Sequence, residues 1–357
     1  MMASLIIGAG MFSLPYVFAR SGIVAGIVYL LIMALVMAET HISYAEIIEA
    51  SGNDKRFIGY AEKYLGRGGG IIGGISVVFG ILISLTIYIA LSASFIHFIA
   101  PMMPDIVSVF LFWALGSALV VSGINKFAGL DIVFFAGIAL ITGALAVLGP
   151  VFGDINNFNI APTDIAGIFL PLAPVLFSFS GRSAISSIRE YFLSGNYPKK
   201  SFKRSIVLGT FFPIIVYAAF VVGATMLSSG GVAEDAVSGL VLLPHGYLLM
   251  IGVLGLFSLI TSYVFLGMEF KGIVENDLKF PRIAAALAVL AVPIVFYMVG
   301  LNNFLTLVGL AGGIFLAVES ALVIMMRRAA TLRRKPYDFI LMAVFLAAII
   351  YEIAAFI

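Results

Sequence analysis

Apolar residues run along this chain in long blocks, and polar residues gather in the short gaps between them. Eleven such blocks lie near 3–20, 22–48, 71–99, 105–122, 130–151, 163–192, 204–228, 245–270, 281–299, 304–326 and 338–356. A helix needs roughly 20 residues to cross the hydrocarbon core of a bilayer. The pattern therefore predicts an all-α integral membrane protein with eleven crossings. The block at 105–122 is marginal, and the first is short on its N-terminal side. Between the second and third blocks, Ser51 to Gly70 is polar but carries spaced Phe57, Ile58, Tyr60, Ala61, Tyr64 and Leu65. That spacing suits either a short amphipathic helix at the membrane surface or a plain connector. The opening residues Met1 to Ile7 carry no basic n-region, so the first apolar block is expected to remain in the mature protein.

Composition agrees: 62% of the 357 residues are hydrophobic and only 11% charged, a balance that leaves too little polar surface for a water-exposed domain of this size. The position of the charges says more. With the N-terminus placed in the cytoplasm, all but two of the 20 Lys and Arg fall in inner loops or adjoining helix ends. They are Lys55, Arg56, Lys63, Arg67, Lys126, Arg189, Lys199, Lys200, Lys203, Arg204, Lys271, Lys279, Arg282, Arg327, Arg328, Arg333, Arg334 and Lys335. The exceptions are Arg20, in an outer loop, and Arg182, inside a membrane block. The positive-inside rule then predicts a multi-pass protein of the cytoplasmic membrane, N-terminus inside and C-terminus outside. The outer loops instead carry Asp105, Asp154, Asp164, Glu234 and Asp235.

Two blocks contain helix breakers. The first has Gly8-Ala9-Gly10 and then Pro15; the sixth has Pro171, Pro174 and the run Phe177-Ser178-Phe179-Ser180-Gly181. Gly and Pro weaken the helical ladder and free backbone groups. In lipid, such groups are tolerated only where protein or a cavity satisfies them. Paired interruptions in corresponding helices of two halves are the sequence mark of a transporter site. Phe18-Ala19-Arg20-Ser21-Gly22 closing the first block is weakly echoed by Phe192-Leu193-Ser194-Gly195 closing the sixth, five blocks later and hence in opposite orientation.

The run Ile7-Gly8-Ala9-Gly10-Met11-Phe12-Ser13-Leu14-Pro15-Tyr16-Val17-Phe18-Ala19 resembles the first helix of permeases of the amino acid–polyamine–cation superfamily, most of all the hydroxy/aromatic amino acid permeases and the amino acid/auxin permeases. Phe177 to Ile188 is similar to their sixth helix, Leu259 to Gly267 to their eighth, and Tyr60 to Gly66 to the connector before their third. The resemblance implies a LeuT-type fold of 5+5 inverted repeats with discontinuous helices 1 and 6, plus an eleventh helix. Residues 1–151 would form the first repeat, 152–328 the inverted second, and 329–357 the additional helix. It implies amino-acid transport by alternating access. Two departures stand out: little chain precedes Gly8, and Arg182 stands where those permeases usually carry a neutral residue or His.

An amino acid presents a carboxylate and an ammonium. Unpaired N–H groups of Ala9, Gly10 and Met11 would favour the carboxylate, with Gly8 and Gly10 admitting close approach. Freed carbonyls near Ile6 and Ile7, and from Phe177 to Ser180, together with the Ser178 and Ser180 hydroxyls, would take the ammonium, with Gly181 in the same substrate-binding stretch; Phe177 or Phe179 could close over the substrate, or simply pack in the core. By resemblance, Tyr88 would help hold the carboxylate. Thr261 and Ser262, with carbonyls of Ser4, Ile7 and Ser258, match a Na+ site of this fold, though hydroxyls bonding back to their own helix read as well. Relatives coupled to protons can carry a Lys in helix five, and block 130–151 has none. Arg182, as a charge inside the membrane, is a candidate for gating or for pairing with Glu319, Glu269 or Glu190. Glu39 and Glu46, seven residues apart on one helix face, read as solvated, ion-paired or a proton relay.

The absence of Cys removes disulfides and thiolate chemistry. His41, His97 and His245 share no metal-ligand spacing, and there is no phosphate loop or hydrolase nucleophile motif. The expectation is a transporter of neutral amino acids, aromatic or hydroxy ones being what the resemblance implies, driven by Na+, with lipid and a small-molecule substrate as its partners and neither nucleic acid nor a cofactor. An H+-coupled or uncoupled exchanger, a non-transporting sensor and a membrane-embedded enzyme are the alternatives; the last would need clustered acid/base groups at one membrane face.

Overall fold

The computed structural model describes residues 1–52, 55–122, 130–195, 198–228, 231–240 and 242–356, with the side chains of 130–135, 199 and 356 excepted. Lys126 lies outside the described residues. The first block is broken into α1 (Met2–Ile6), a 3-10 turn (Ala9–Ser13) and α2 (Leu14–Ser21). α3 (Ile23–Ser51), α4 (Phe57–Ile99), α5 (Asp105–Ser122) and α6 (Leu130–Phe152) follow. The sixth block is divided into α7 (Ile165–Phe169), α8 (Leu172–Ser178) and α9 (Ala184–Ser194). Then come α10 (Lys199–Leu227), α11 (His245–Asn276) and α12 (Arg282–Met298). The tenth block is α13 (Phe304–Gly309), a π-helical turn (Leu310–Leu316) and α14 (Ala317–Thr331), and α15 (Asp338–Phe356) is the last helix. Among the described residues, seven uninterrupted stretches are long and apolar enough to cross a membrane, the tenth block counted as one of them. Of the other blocks, the first and sixth are interrupted where the breaker residues predicted it, and the ninth, α12, has 17 residues.

The bundle is apolar outside as well as in. α3 exposes Val24, Ile27, Val28, Leu31 and Leu35 along one stripe and turns Thr40, His41, Ser43 and Tyr44 inward. That arrangement suits lipid, where the outside demands apolar atoms and polar groups must find partners within. The stretch before the third crossing is helical from Phe57 and kinks at Gly66, whose φ of 74 is open to glycine at little cost. Phe57, Ile58, Tyr60 and Ala61 are buried there, so this segment packs into the bundle. The two glycines of the sequence echo behave differently: Gly22 closes α2 at φ 82, whereas Gly195 closes α9 at φ −90.

Ion pairs tie the ends of helices together on the face that carries Met1. Lys335, in the turn between α14 and α15, reaches Glu39 at 2.5 Å and Glu46 at 3.5 Å, and Lys203 joins Glu46 and Glu49 at 3.4 Å each. Glu39 and Glu46 are thus ion-paired. Burial opposes the Lys335 charge, but the hydrogen bond to Glu39 and the two carboxylate charges outweigh it and raise its pKa. Deeper in, fully buried Arg327 donates to Asp338 at 2.5 Å, and Arg328 donates to the other carboxylate oxygen at 2.9 Å. Asp338→Asn would strand a buried guanidinium. We expect a loss of about 3–5 kcal/mol, read as a lowered thermal midpoint of the detergent-purified protein, whereas Asp105→Asn on the exposed start of α5 should leave the midpoint unchanged.

Candidate functional site

The two broken helices cross at their breaks. α1 ends at Ile6, Gly8 is extended, and the 3-10 turn carries the chain to α2, where Pro15 sits in the first turn and forfeits no helical bond. α8 ends at Ser178, and five residues pass before α9 resumes at Ala184. A Cβ on Gly10 would lie 2.8 Å from both Cα and Oγ of Ser178, and one on Gly181 would lie 2.5 Å from Ile6 Cγ1. Only glycine allows the two strands of backbone to approach so closely.

Tyr217 of α10 holds the crossing. Its hydroxyl lies 2.9 Å from the Ile6 carbonyl and 2.5 Å from the Ser178 carbonyl, so its one proton serves an acceptor freed by each break. The ring is fully buried and packs edge-on against Phe179 at 5.6 Å. Nothing in the local sequence singled out Tyr217; the available signal was a phenol in an otherwise apolar helix, which must find a partner when buried.

A cavity of about 170 Å³ opens beside the crossing. Gly8, Ala9, Gly10, Tyr88, Phe177 and Ser180 line it. Tyr88 turns its hydroxyl toward Ser262 and the Ala9 amide, and a Cβ on Gly8 would come within 3.3 Å of that oxygen. The structure places the other expected substrate contacts outside the lining. Met11 and Phe179 are fully buried, and the Met11 N–H is used by the Gly8 carbonyl at 3.2 Å. The Ser178 hydroxyl donates to the Pro174 carbonyl at 2.8 Å, and Gly181 packs on Ile6.

Of the residues expected to hold a cation, Ser4, Thr261 and Ser262 line the same cavity, while Ile7 and Ser258 are buried behind it. Thr261 bonds back to the Ser258 carbonyl at 2.9 Å, and Ser4 to the Met1 carbonyl at 2.8 Å. Both hydroxyl oxygens retain lone pairs. Among the three acids considered for Arg182, Glu319 accepts from its Nε at 3.0 Å. Glu269 shares the cavity wall, and Glu190 is exposed on α9.

The cavity runs toward Met1 and Ser187, both exposed. On the opposite side, buried Phe12 packs edge-on against Phe95 and Phe220 at 5.3 and 5.4 Å. This aromatic seal joins the 3-10 turn to α4 and α10, a tertiary contact with no mark in the sequence.

Residues 1–354 match the model of the tryptophan/tyrosine permease family. The chain belongs to that family. This permease is 26% identical over 336 residues to the tyrosine-specific transport system 1 of Haemophilus influenzae, covering 88% of this chain and 83% of that one. It is 24% identical over 344 residues to glutamine transporter 2 of Aliivibrio fischeri, covering 92% and 87%. Among solved structures, the crystal structure of MhsT in complex with L-phenylalanine superposes with a TM-score of 0.65 at 14% identity, over 99% of this chain and 96% of that one. The fold is of the LeuT type, and the protein is an amino-acid transporter of the membrane, not an enzyme.

Replacing the shared donor tests the crossing. Tyr217→Phe leaves two buried carbonyls without it; we expect a loss of about 1–3 kcal/mol, read as a fall in thermal midpoint, together with weakened amino-acid binding.

Proposed function

We propose that this permease moves neutral amino acids by alternating access, with Na+ as the coupling ion, and that the helix crossing is its substrate site. The observation that carries this is the cavity at the two breaks, whose wall there, Arg182 apart, is backbone, hydroxyl, aromatic and aliphatic groups without charge. The substrate carboxylate would meet the Ala9 and Gly10 N–H groups and the Tyr88 hydroxyl. The ammonium would meet Ser180 and the second lone pair of the Ile6 carbonyl. Phe177 lines the cavity and is the aromatic lid of this reading. The two named relatives carry tyrosine and glutamine by their names, both neutral. Residues 1–151 and 152–328 would be the two inverted repeats, and 329–357 the added helix. The basic loops assign the Met1 face to the cytoplasm, which puts the C-terminus outside. The open route toward Met1 and the Phe12 seal then describe an inward-facing state.

A Na+ ion would take the hydroxyl oxygens of Thr261 and Ser262 with carbonyls from Ser4, Ile7 and Ser258. One observation favours protons instead: Glu269 lines the cavity, and among the described residues no basic side chain comes within 4.0 Å of its carboxylate. Thermal stabilisation by a panel of amino acids, each in Na+ and in K+, separates these readings, because a ligand that prefers the native state raises its apparent stability. We expect neutral amino acids to stabilise in Na+ alone, and Thr261→Ala with Ser262→Ala to abolish that dependence. Stabilisation indifferent to the cation would transfer the coupling to protons or exchange. Preference for a dicarboxylic amino acid would overturn the neutral assignment.

A further inference from the structure

The cavity has two chemically different ends. At the crossing it offers backbone groups and the Tyr88 hydroxyl. Along α4 the lining continues one turn at a time through Ser84 to Gly80, and along α11 it continues from Ser262 to Glu269. Arg182 follows Gly181 in the break itself, and its side chain runs from the crossing toward the Gly80 end of the cavity, where Glu319 lies. There stands the Arg182–Glu319 pair.

That pair is held rigidly but is incompletely satisfied. The Arg182 guanidinium lies 4.4 Å from the Phe57 ring centroid and 5.6 Å from that of Tyr44, which fixes its plane. It engages Glu319 through Nε alone, on Oε2. Glu319 Oε1 is turned toward α4, where a Cβ on Gly80 would stand 3.5 Å from it. Gly80, where a Cβ would also stand 3.2 Å from Phe315 Cβ, leaves a narrow space between Phe315 and a carboxylate oxygen that has no hydrogen-bond partner among the described residues. One Arg182 N–H turns to the Tyr44 hydroxyl, and the side chain, with its remaining terminal N–H groups, lines the same wall. An acceptor and a donor thus face the far end of the cavity together. The Ser84 proton is already committed to the Gly80 carbonyl at 2.8 Å, so Ser84 offers only an acceptor there.

We propose that the Arg182–Glu319 pair, with the space left by Gly80, is the side-chain subsite of this transporter and selects neutral amino acids whose side chain ends in a group that both donates and accepts a hydrogen bond, such as a phenol or a carboxamide. This rests on the reading that the crossing binds the amino acid's carboxylate and ammonium. A hydroxyl or amide at the tip donates to Glu319 Oε1 and accepts from Arg182. A hydrocarbon tip of the same shape fits but leaves both groups with their bonds unmade. The two charges already neutralise each other, so a tip with its own full charge would upset that balance.

Matched pairs test the proposal on the wild-type protein. Binding of tyrosine against phenylalanine, and of glutamine against norleucine, is measured by thermal shift and calorimetry in saturating Na+. We expect the polar member of each pair to bind about tenfold more tightly, less than in sites whose polar groups have no partner when empty. The double variant Arg182→Met with Glu319→Leu removes the pair without stranding a charge. It should still bind phenylalanine and norleucine, and its preference should fall to within about twofold. Gly80→Ala, which places a methyl group beside Glu319, should weaken tyrosine more than alanine. Equal affinities within both wild-type pairs would overturn the subsite while leaving the transporter reading intact. So would a preference for glutamate or lysine, or a tyrosine preference that survives in the double variant. Binding of no amino acid at all would remove both the subsite and the function on which it rests.

Discussion

A carbonyl or amide left without a partner inside a bilayer costs several kcal/mol, because no water is there to take its place. Breaking two helices at mid-membrane exposes such groups by design, and the fold has to satisfy them without closing the site they create. Tyr217 does much of this from a third helix: one phenol serves a carbonyl from each break and pins the two interruptions against each other. The close approach at Gly10 and Gly181 follows from the same constraint, since any side chain there would force the crossing apart. The cavity opens beside that crossing, lined by Gly8, Ala9 and Gly10 of the first break and Ser180 of the second.

Charge inside the bundle obeys the same economy. Arg327 and Asp338 are almost wholly buried and bonded to each other, with Arg328 added on the second oxygen. They fix the turn into the last helix. Arg182 and Glu319 differ in that their pair borders the cavity and keeps bonding capacity in hand. The first pair is shut inside the bundle, with Arg327 Nε left without a hydrogen-bond partner among the described residues; the second borders the cavity. The π-helical turn just before Glu319 belongs to the same region: Ser76 donates to its Phe315 carbonyl at 2.6 Å, and its Gly312 lets α8 come close.

Much of the architecture was legible along the chain. Block length and the sorting of Lys and Arg depend on bilayer thickness and on how loops cross it, both properties of local sequence. The breaks at Gly8–Gly10 and at Ser180–Gly181 were legible for the same reason: backbone freedom is local. Part of the site was not. Met11, Ser178 and Phe179 sit within the motifs, yet their side chains or amides are taken up by neighbouring turns and helices. Tyr217, Phe95 and Phe220 carry no motif and reach the crossing only through packing.

The sequence by itself determined that this chain is a bundle of membrane helices, where two of them break, and which loops carry the positive charge. Each of these follows from hydrophobicity, backbone preference and charge within a short window. Tertiary structure alone decided which acid pairs with Arg182, which phenol satisfies the broken helices, and which expected contacts face the cavity. Those depend on distances between residues far apart in the chain: Glu319 stands 137 positions from Arg182, and Tyr217 stands 211 from Ile6. Each helix presents several equivalent faces, and only packing against its neighbours chooses among them.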